Sequence, residues 1–513
     1  MCSQLPVVLA LAAMFLQAPS WTQAKKVVMF PPPVKSYILY HSNIGQALMD
    51  LGHDVWICLP DHLVETGFLQ HHAIKRIVYG TGLGDIEGKL FQSTQMFDKF
   101  WAGEENSFRN LFPLINYFKS FSIEVLSETE FVQSVKNINP DLFILDAFMF
   151  TRNLLVLPYK LDLSFALIGT LHDMNLARVP YSPAAEPHVT QKVTNRMTFF
   201  QRVESTFIAL FSITFHIFTD DDVVTRFAPE KPYKPLSDIA LQAEIFISDT
   251  DHILDYPQPV LPNTKLIGGS SVSESKPLTG DYFNFFNSSV NGVVVVTFGS
   301  TDMDVPTHIM NKMVAAFDKL DLNVVWKANL TSPRPDKIMI SKWLPQNDLL
   351  GHPKTKVFVS HCGKNGQYEA LHHTVPILCL PIFGDQFHNA ERISVKGFGL
   401  ESDLRKITSE EFADLIKEVA YNPKYKTNIQ KASALFKELC KEPMKEAAYW
   451  FDHVMKYGGG YMRSSGQEMP MYQFLLLDVI AFFIGVISLL ALLTATVVIF
   501  CYRCLRNRKI KAD

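Results

Sequence analysis

The sequence predicts two doubly wound α/β domains facing a cleft, followed by one membrane-spanning helix near the carboxyl end. Three observations carry this expectation. Short apolar runs alternate with helical patterns in two separate halves of the chain. With 513 residues, 48% of them hydrophobic, there is material for more than one core. A single uncharged run, Val479 to Cys501, closes the chain ahead of a basic tail.

Residues 1–24 read as a signal peptide: an apolar run from Leu5 to Gln17, then small and polar residues ending at Ala24. The alternative, an uncleaved anchor, is disfavoured because so short a run spans a bilayer poorly. The first domain, 25–270, opens with an apolar strand, Lys26 to Phe30, that runs into Pro31-Pro32-Pro33. Ile38, His41, Ile44, Leu48 and Leu51 then recur at three- and four-residue steps, which is a helical stripe that Gly52 ends. Val55 to Leu59 is the next strand. This βαβ beginning implies a parallel sheet. Asp141 to Leu145, with Asp146 at its end, and Leu163 to Gly169 add further buried strands. Phe207 to Phe218 is rich in Phe and Ile but too short to span a membrane; it reads as core, or else as a helix of the acceptor pocket or the membrane surface, with core the favoured of these.

The polar, turn-rich stretch 271–290 is the expected linker, and the second domain covers 291–470. Its strands are Val293 to Phe298, Leu322 to Trp326, Lys356 to Val359 and Pro376 to Leu380, with Ile309 to Leu320 and Ala370 to His373 helical. Val479 to Cys501 is 23 residues long. At about 1.5 Å per residue such a helix crosses a roughly 30 Å hydrocarbon core. Arg503, Arg506, Arg508, Lys509 and Lys511 follow in the tail, 502–513, which the positive-inside rule assigns to the cytosol. The bulk of the chain is then lumenal, in a single-pass type I arrangement. Lys509 and Lys511 resemble a dilysine signal for retention in the endoplasmic reticulum membrane, and Asn287 and Asn329 open glycosylation sequons.

Composition excludes some functions. A formal net charge of −3 gives no basic surface for nucleic acid. The lumenal cysteines Cys58, Cys362, Cys379 and Cys440 are scattered, which is neither a disulfide scaffold nor a metal-ligand spacing, so no metal is expected. No Gly-x-Gly-x-x-Gly follows the first strand, so a dinucleotide-dependent dehydrogenase is disfavoured.

The chemistry concentrates between Trp343 and Gln386. His361 to Gly366 follows a buried strand and opens a helix, and Gly363 and Gly366 let the backbone approach a ligand closely. Helix-start amides plus the helix dipole form an anion site suited to a diphosphate, with His361 and Asn365 as side-chain donors. Glu369, one turn on, suits ribose hydroxyls. Trp343 offers a flat face for a base, and Asp385-Gln386 follows the next strand where sugar hydroxyls could be bound. Each residue alone is more often core, turn or helix cap. Together and in order they point to a nucleotide sugar.

This segment resembles the donor signature of the UDP-glycosyltransferase family, whose animal members include the UDP-glucuronosyltransferases, and the resemblance extends more weakly over nearly the whole chain. It implies the GT-B fold, two Rossmann-like domains with the donor held mostly by the second. It implies that Trp343 stacks on uracil and Gln346 contacts the nucleoside. Ser300, His361, Asn365 and Gly366 would hold the diphosphate, Glu369 the ribose, and Asp385 with Gln386 the sugar. Cys362 and Thr374 stand where glycine is usual in the family. The implied activity is inverting transfer of glucose or glucuronate from the co-substrate UDP-sugar to a small lipophilic acceptor such as a phenol, sterol or xenobiotic. Homo- and hetero-oligomers are both compatible with it.

The family's catalytic pair is a histidine base and an aspartate. Asp146 matches the aspartate. The histidine position, fifteen residues before the glycine of Gly52-His53, is Tyr37. A tyrosine titrates about 3.5 pH units above histidine and is a poor base at neutral pH. His41, one turn further along the same helix, is a substitute. Two other readings stand beside it: transfer without the usual base, to acceptors that ionise easily or are already nucleophilic amines, and a catalytically reduced, UDP-sugar-binding membrane partner of an active transferase. A loose alignment puts Asp249 near the place where family members carry an arginine for the glucuronate carboxylate, which tilts the expected donor toward UDP-glucose.

Overall fold

The computed structural model describes residues 24–69, 73–104, 111–146, 151–188, 191–218, 222–299 and 305–510. Ser300, the signal segment 1–23 and the end of the tail lie outside them.

Two parallel sheets organise the chain. The first runs β3-β2-β1-β4-β5-β6-β7, built from β1 (Lys26–Phe30), β2 (Asp54–Pro60), β3 (Lys75–Tyr79), β4 (Leu142–Asp146), β5 (Phe165–Gly169), β6 (Phe246–Ser248) and β7 (Thr264–Leu266). The second runs β10-β9-β8-β11-β12-β13, from β8 (Val293–Thr297), β9 (Asn323–Lys327), β10 (Ile338–Ser341), β11 (Thr355–Ser360), β12 (Ile377–Cys379) and β13 (Gly399–Glu401). Both strand orders reverse beside the first strand of the half, β1 against β4 and β8 against β11. In open α/β sheets ligands bind outside the carboxyl ends of the strands at such switch points.

Continuous apolar runs form these strands because both faces are covered. Val293 to Val296 are completely buried, each such side chain contributing roughly 1.5–3 kcal/mol of transfer free energy. Helix α1 (Lys35–Asp50) begins after the three prolines and buries Ile38, Tyr40, His41, Ile44 and Leu48. Gly52 ends it in the left-handed region at φ +91°.

Helix α2 (Phe199–Phe218) departs from the core expectation. Phe207 is 64% and Leu210 58% exposed, while Ser205 and Ala209 are buried. An apolar run of this length says nothing about which face is covered. Within the expected linker, Gly280–Ser288 forms helix α3, whose Phe286 is buried in the second domain's core. Helix α4 (Gln346–Gly351), α5 (Lys364–His372) and α6 (Gln386–Val395) each follow a loop that bears site residues. Helix α7 (Pro443–Tyr457) returns to the first domain and packs on α1, with His53 Nε2 3.2 Å from Asp452.

Residues through Tyr461 form one compact body, and Met462–Asp513 form a second unit. That unit contains helix α8 (Leu477–Ile510). Its segment Leu477–Arg506, mean hydropathy 2.7, is long and apolar enough to cross a membrane.

Candidate active site

One wall of the site lies at the carboxyl ends of β1 and β4. Asp146, the last residue of β4, is fully buried. His41 on α1 is also fully buried, with Nε2 4.0 Å from Asp146 Oδ2. Its Nδ1 is 2.9 Å from the Tyr37 carbonyl oxygen. A carbonyl only accepts, so Nδ1 carries the proton and the Nε2 lone pair faces the carboxylate. Two basic atoms therefore converge on one point, where a donor hydroxyl can be held by both. Burial lowers the His41 pKa to about 4, opposed by the bond to the Tyr37 carbonyl.

Tyr37 is half-buried, its hydroxyl 3.4 Å from Thr170 Oγ1 just beyond β5. Burial, then the Asp146 charge, and more weakly Asp385, hold this phenol well above its ordinary range. Tyr37 is thus the poorer base of the pair.

The other wall follows β8, β11 and β12. Gly299, at φ +93°, and Gly363, at the start of α5, close on the His361 ring. A Cβ on either would lie 2.8 or 2.6 Å from His361 Nε2, so neither position admits a side chain without displacing the imidazole. Burial and then Lys327 lower the His361 pKa to about 4. It is a neutral donor at the mouth of the α5 amides, which Asn365 and Gly366 continue. Lys327, at the end of β9, bonds the Gly299 carbonyl at 2.8 Å and places a cation beside His361. Sequence reading missed Lys327; its position at the end of a strand beside the switch point was the available signal.

Trp343 is 57% exposed. Its carbonyl is pinned by Ser341 Oγ at 2.8 Å and Tyr282 Oη at 3.2 Å, which leaves the indole presented outward. Gln346 donates to Glu369, and burial raises the Glu369 pKa to about 7 against that bond. Gly366 faces Gln346 Nε2 where a Cβ would come within 3.4 Å. Asp385 opens α6 and accepts from Asn389 Nδ2 at 2.7 Å. Burial raises its pKa, and Asn389 and Lys364 oppose the rise. Gln386 is buried, and its Oε1 accepts from the Ile382 and Phe383 amides at 2.9 and 3.2 Å. This side chain braces the loop that carries Asp385.

Two further expectations change. Asp249 does not face the site as a lone carboxylate: it is fully buried and accepts from Gly269 N at 2.7 Å, Ser270 N at 3.1 Å and Ser270 Oγ at 2.7 Å. It gives no ground for disfavouring glucuronate. Cys362 and Cys379 form a disulfide, their Cα atoms 5.3 Å apart across the ends of neighbouring strands β11 and β12, an ordinary span for such a bridge. The pairing depends on strand order, which spacing alone could not supply. Non-reducing peptide mapping should recover a linked Cys362–Cys379 peptide; quantitative alkylation of both thiols without reductant would contradict the bridge. No group of three or more His, Cys, Asp or Glu able to hold a metal occurs among the described residues.

Two Rossmann-like parallel sheets, each with its switch point beside its first strand, make the GT-B fold, and solved structures agree on it. The glycosyltransferase of kitacinnamycin superposes with TM-score 0.59 at 16% identity, over 84% of this chain and all of that one. A UDP-glucosyltransferase from Polygonum tinctorium capable of glucosylating indoxyl gives 0.55 at 15%, over 84% and 99%. The family described as "UDP-glucoronosyl and UDP-glucosyl transferase" matches residues 25–512, and the chain belongs to it. Among its relatives are human UDP-glucuronosyltransferase 1A8, 28% identical over 94% of this chain and 93% of that protein, and human UDP-glucuronosyltransferase 2B17, 27% identical over 93% of each.

Proposed function

We propose that this enzyme moves glucose or glucuronate from a UDP-sugar to the hydroxyl or amine of a small lipophilic acceptor, with inversion, in the endoplasmic reticulum lumen. His41 is the base and Asp146 its partner. The observation that carries this reading is the 4.0 Å approach of His41 Nε2 to Asp146 Oδ2 opposite the His361–Asp385 wall. An acceptor proton taken between these atoms is shared by the pair, while the nucleophile attacks the anomeric carbon and UDP leaves toward His361, Asn365 and Lys327. Trp343 stacks on uracil, Gln346 and Glu369 hold the nucleoside, and Asp385 holds the sugar. The exposed asparagines of both sequons fit a lumenal body, and Leu477–Arg506 is its anchor.

The test is product formation by the detergent-solubilised full chain from labelled UDP-glucose and UDP-glucuronate with a panel of phenols and amines. UDP binding without product or donor hydrolysis would favour the second reading, a non-transferring membrane partner, which the complete burial of His41 supports. Tyr37→Phe should leave kcat within about threefold, because general-base catalysis needs a group titrating near the working pH and the buried phenol does not. A loss of more than tenfold would return the role to Tyr37.

A further inference from the structure

Behind Asp385 lies a buried polar cluster that joins the two domains and that the transfer chemistry does not use. The loop after β6 delivers Asp249, Asp251 and Asp255 from the first domain; α5 and α6 bring Lys364 and Arg392 from the second, and Lys396 follows α6. Lys364 Nζ is 2.5 Å from Asp255 Oδ2 and 3.2 Å from Thr250 Oγ1. Arg392 pairs with Asp255 and also donates to Asn389 Oδ1. Lys396 Nζ caps the Ile253 and Asp255 carbonyls at 2.7 and 3.1 Å. Asn389 is fully buried, and its Nδ2 donates to Asp385 Oδ2 at 2.7 Å and to the Cys362 carbonyl at 3.1 Å.

The hydrogen-bond inventory of Asn389 makes this directional. A carboxamide presents two N–H donors on one side and an acceptor on the other, and the two ends have nearly the same shape. Turned over, it would point Oδ1 at both Asp385 and the Cys362 carbonyl, oxygen against oxygen. Arg392 has only donors, so its bond to Oδ1 is a third contact that the flip would break. Asp255 in turn fixes the guanidinium, and Lys364 fixes Asp255. The sequence of contacts runs from a first-domain loop to the carboxylate at the sugar end of the donor site.

We infer that Arg392 and Asp255 are positioning residues for donor-sugar recognition: Asp255 orients Arg392, Arg392 orients Asn389, and Asn389 aims Asp385. This rests on the reading of Asp385 as the sugar-binding carboxylate. Trp343, Gln346 and Glu369, which hold the nucleoside in that reading, are not among these contacts; the cluster meets the phosphate loop only at Lys364 and the Cys362 carbonyl. The device therefore acts first on the sugar and only secondarily on UDP.

Calorimetric titration of the full chain with UDP, UDP-glucose and UDP-glucuronate separates the two halves. Asn389→Leu removes the aiming bond directly. Arg392→Met should reproduce it: UDP affinity within about twofold of the parent, and affinity for the accepted UDP-sugar about tenfold weaker, the scale of one hydrogen bond to a charged group. The double variant should be no weaker than either single one, because both act through one bond. If Arg392→Met loses UDP as well, Arg392→Lys takes its place, since it keeps the charge beside Asp255; a selective UDP-sugar loss there supports the relay. Wild-type UDP-sugar affinity in a UDP-competent Arg392 variant, with Asn389→Leu weakened, overturns it. Failure of the parent chain to bind UDP overturns the donor site itself, and the relay with it.

Discussion

Changing His41 to glutamine should lower kcat/KM for the acceptor by about 10²–10⁴, the usual worth of a positioned general base. Glutamine is near in size and can keep a donor on the Tyr37 carbonyl, so the loss reports the missing basic nitrogen. The KM for UDP-sugar should move less than about threefold, because among the described residues the polar and ring contacts of His41 run to Tyr37, Tyr40 and Asp146. The pH profile adds an independent sign. Burial holds His41 neutral down to about 4, so the rate should stay level as pH falls through the ordinary imidazole range near 6.5 and drop only as His41 takes a proton around 4. Were Tyr37 the base, the rate would instead climb toward alkaline pH, since burial and the neighbouring carboxylates hold its phenol up. Retention of activity within threefold in His41→Gln would exclude His41 as the base, whereas an acid limb near 6.5 that disappears in His41→Gln would keep His41 as the base with an imidazole better solvated than its burial implies.

Much of this site was legible because its determinants are local. The strand–glycine–helix grammar around His361, the paired carboxylate at the end of β4, and the one-turn spacing of Tyr37 and His41 all follow from short-range periodicity and turn chemistry. Which of Tyr37 and His41 meets Asp146 was not legible, because it depends on how α1 rotates against β4. The same limit explains Lys327, the Cys362–Cys379 bridge and the Asp255–Arg392 pair, which depend on strand order or domain contact. Helix α2 failed for a different reason: Phe207 and Leu210 are apolar yet exposed, and burial is a property of neighbours that the run itself does not contain.

The two departures from family glycine show what backbone constraint leaves visible. Cys362 has φ +65° and Thr374 φ +60°, both in the left-handed region that costs a side chain roughly 1–2 kcal/mol. Each is held from outside. The Cys362 carbonyl accepts from Gln367 Nε2 and Asn389 Nδ2, and its amide donates to Ser360 Oγ. Lys426 Nζ bonds both the Thr374 carbonyl and hydroxyl, at 2.6 and 2.8 Å. The conformation that glycine adopts freely is kept here by side-chain bonds at both positions.

Asp385→Ala should abolish measurable transfer, a loss of roughly 10³-fold in kcat, while UDP binding stays within a few-fold. Loss of one transition-state contact is worth about 10²–10³. Here the same change also strands the buried Asn389 amide and removes a negative charge that helps keep Lys364 protonated. Asp385→Asn should fall between the two, because its amide keeps the shape and can still accept from a sugar hydroxyl. It cannot offer two anionic oxygens, and it can turn an N–H toward Asn389. The ordering parent, Asn, Ala in kcat with nearly constant UDP affinity would place Asp385 at the sugar and not at the nucleotide. If Asp385→Ala turns over near the parent rate, the sugar lies elsewhere. The cluster of Asp255, Lys364 and Arg392 would then serve to join the two domains and not to aim a carboxylate.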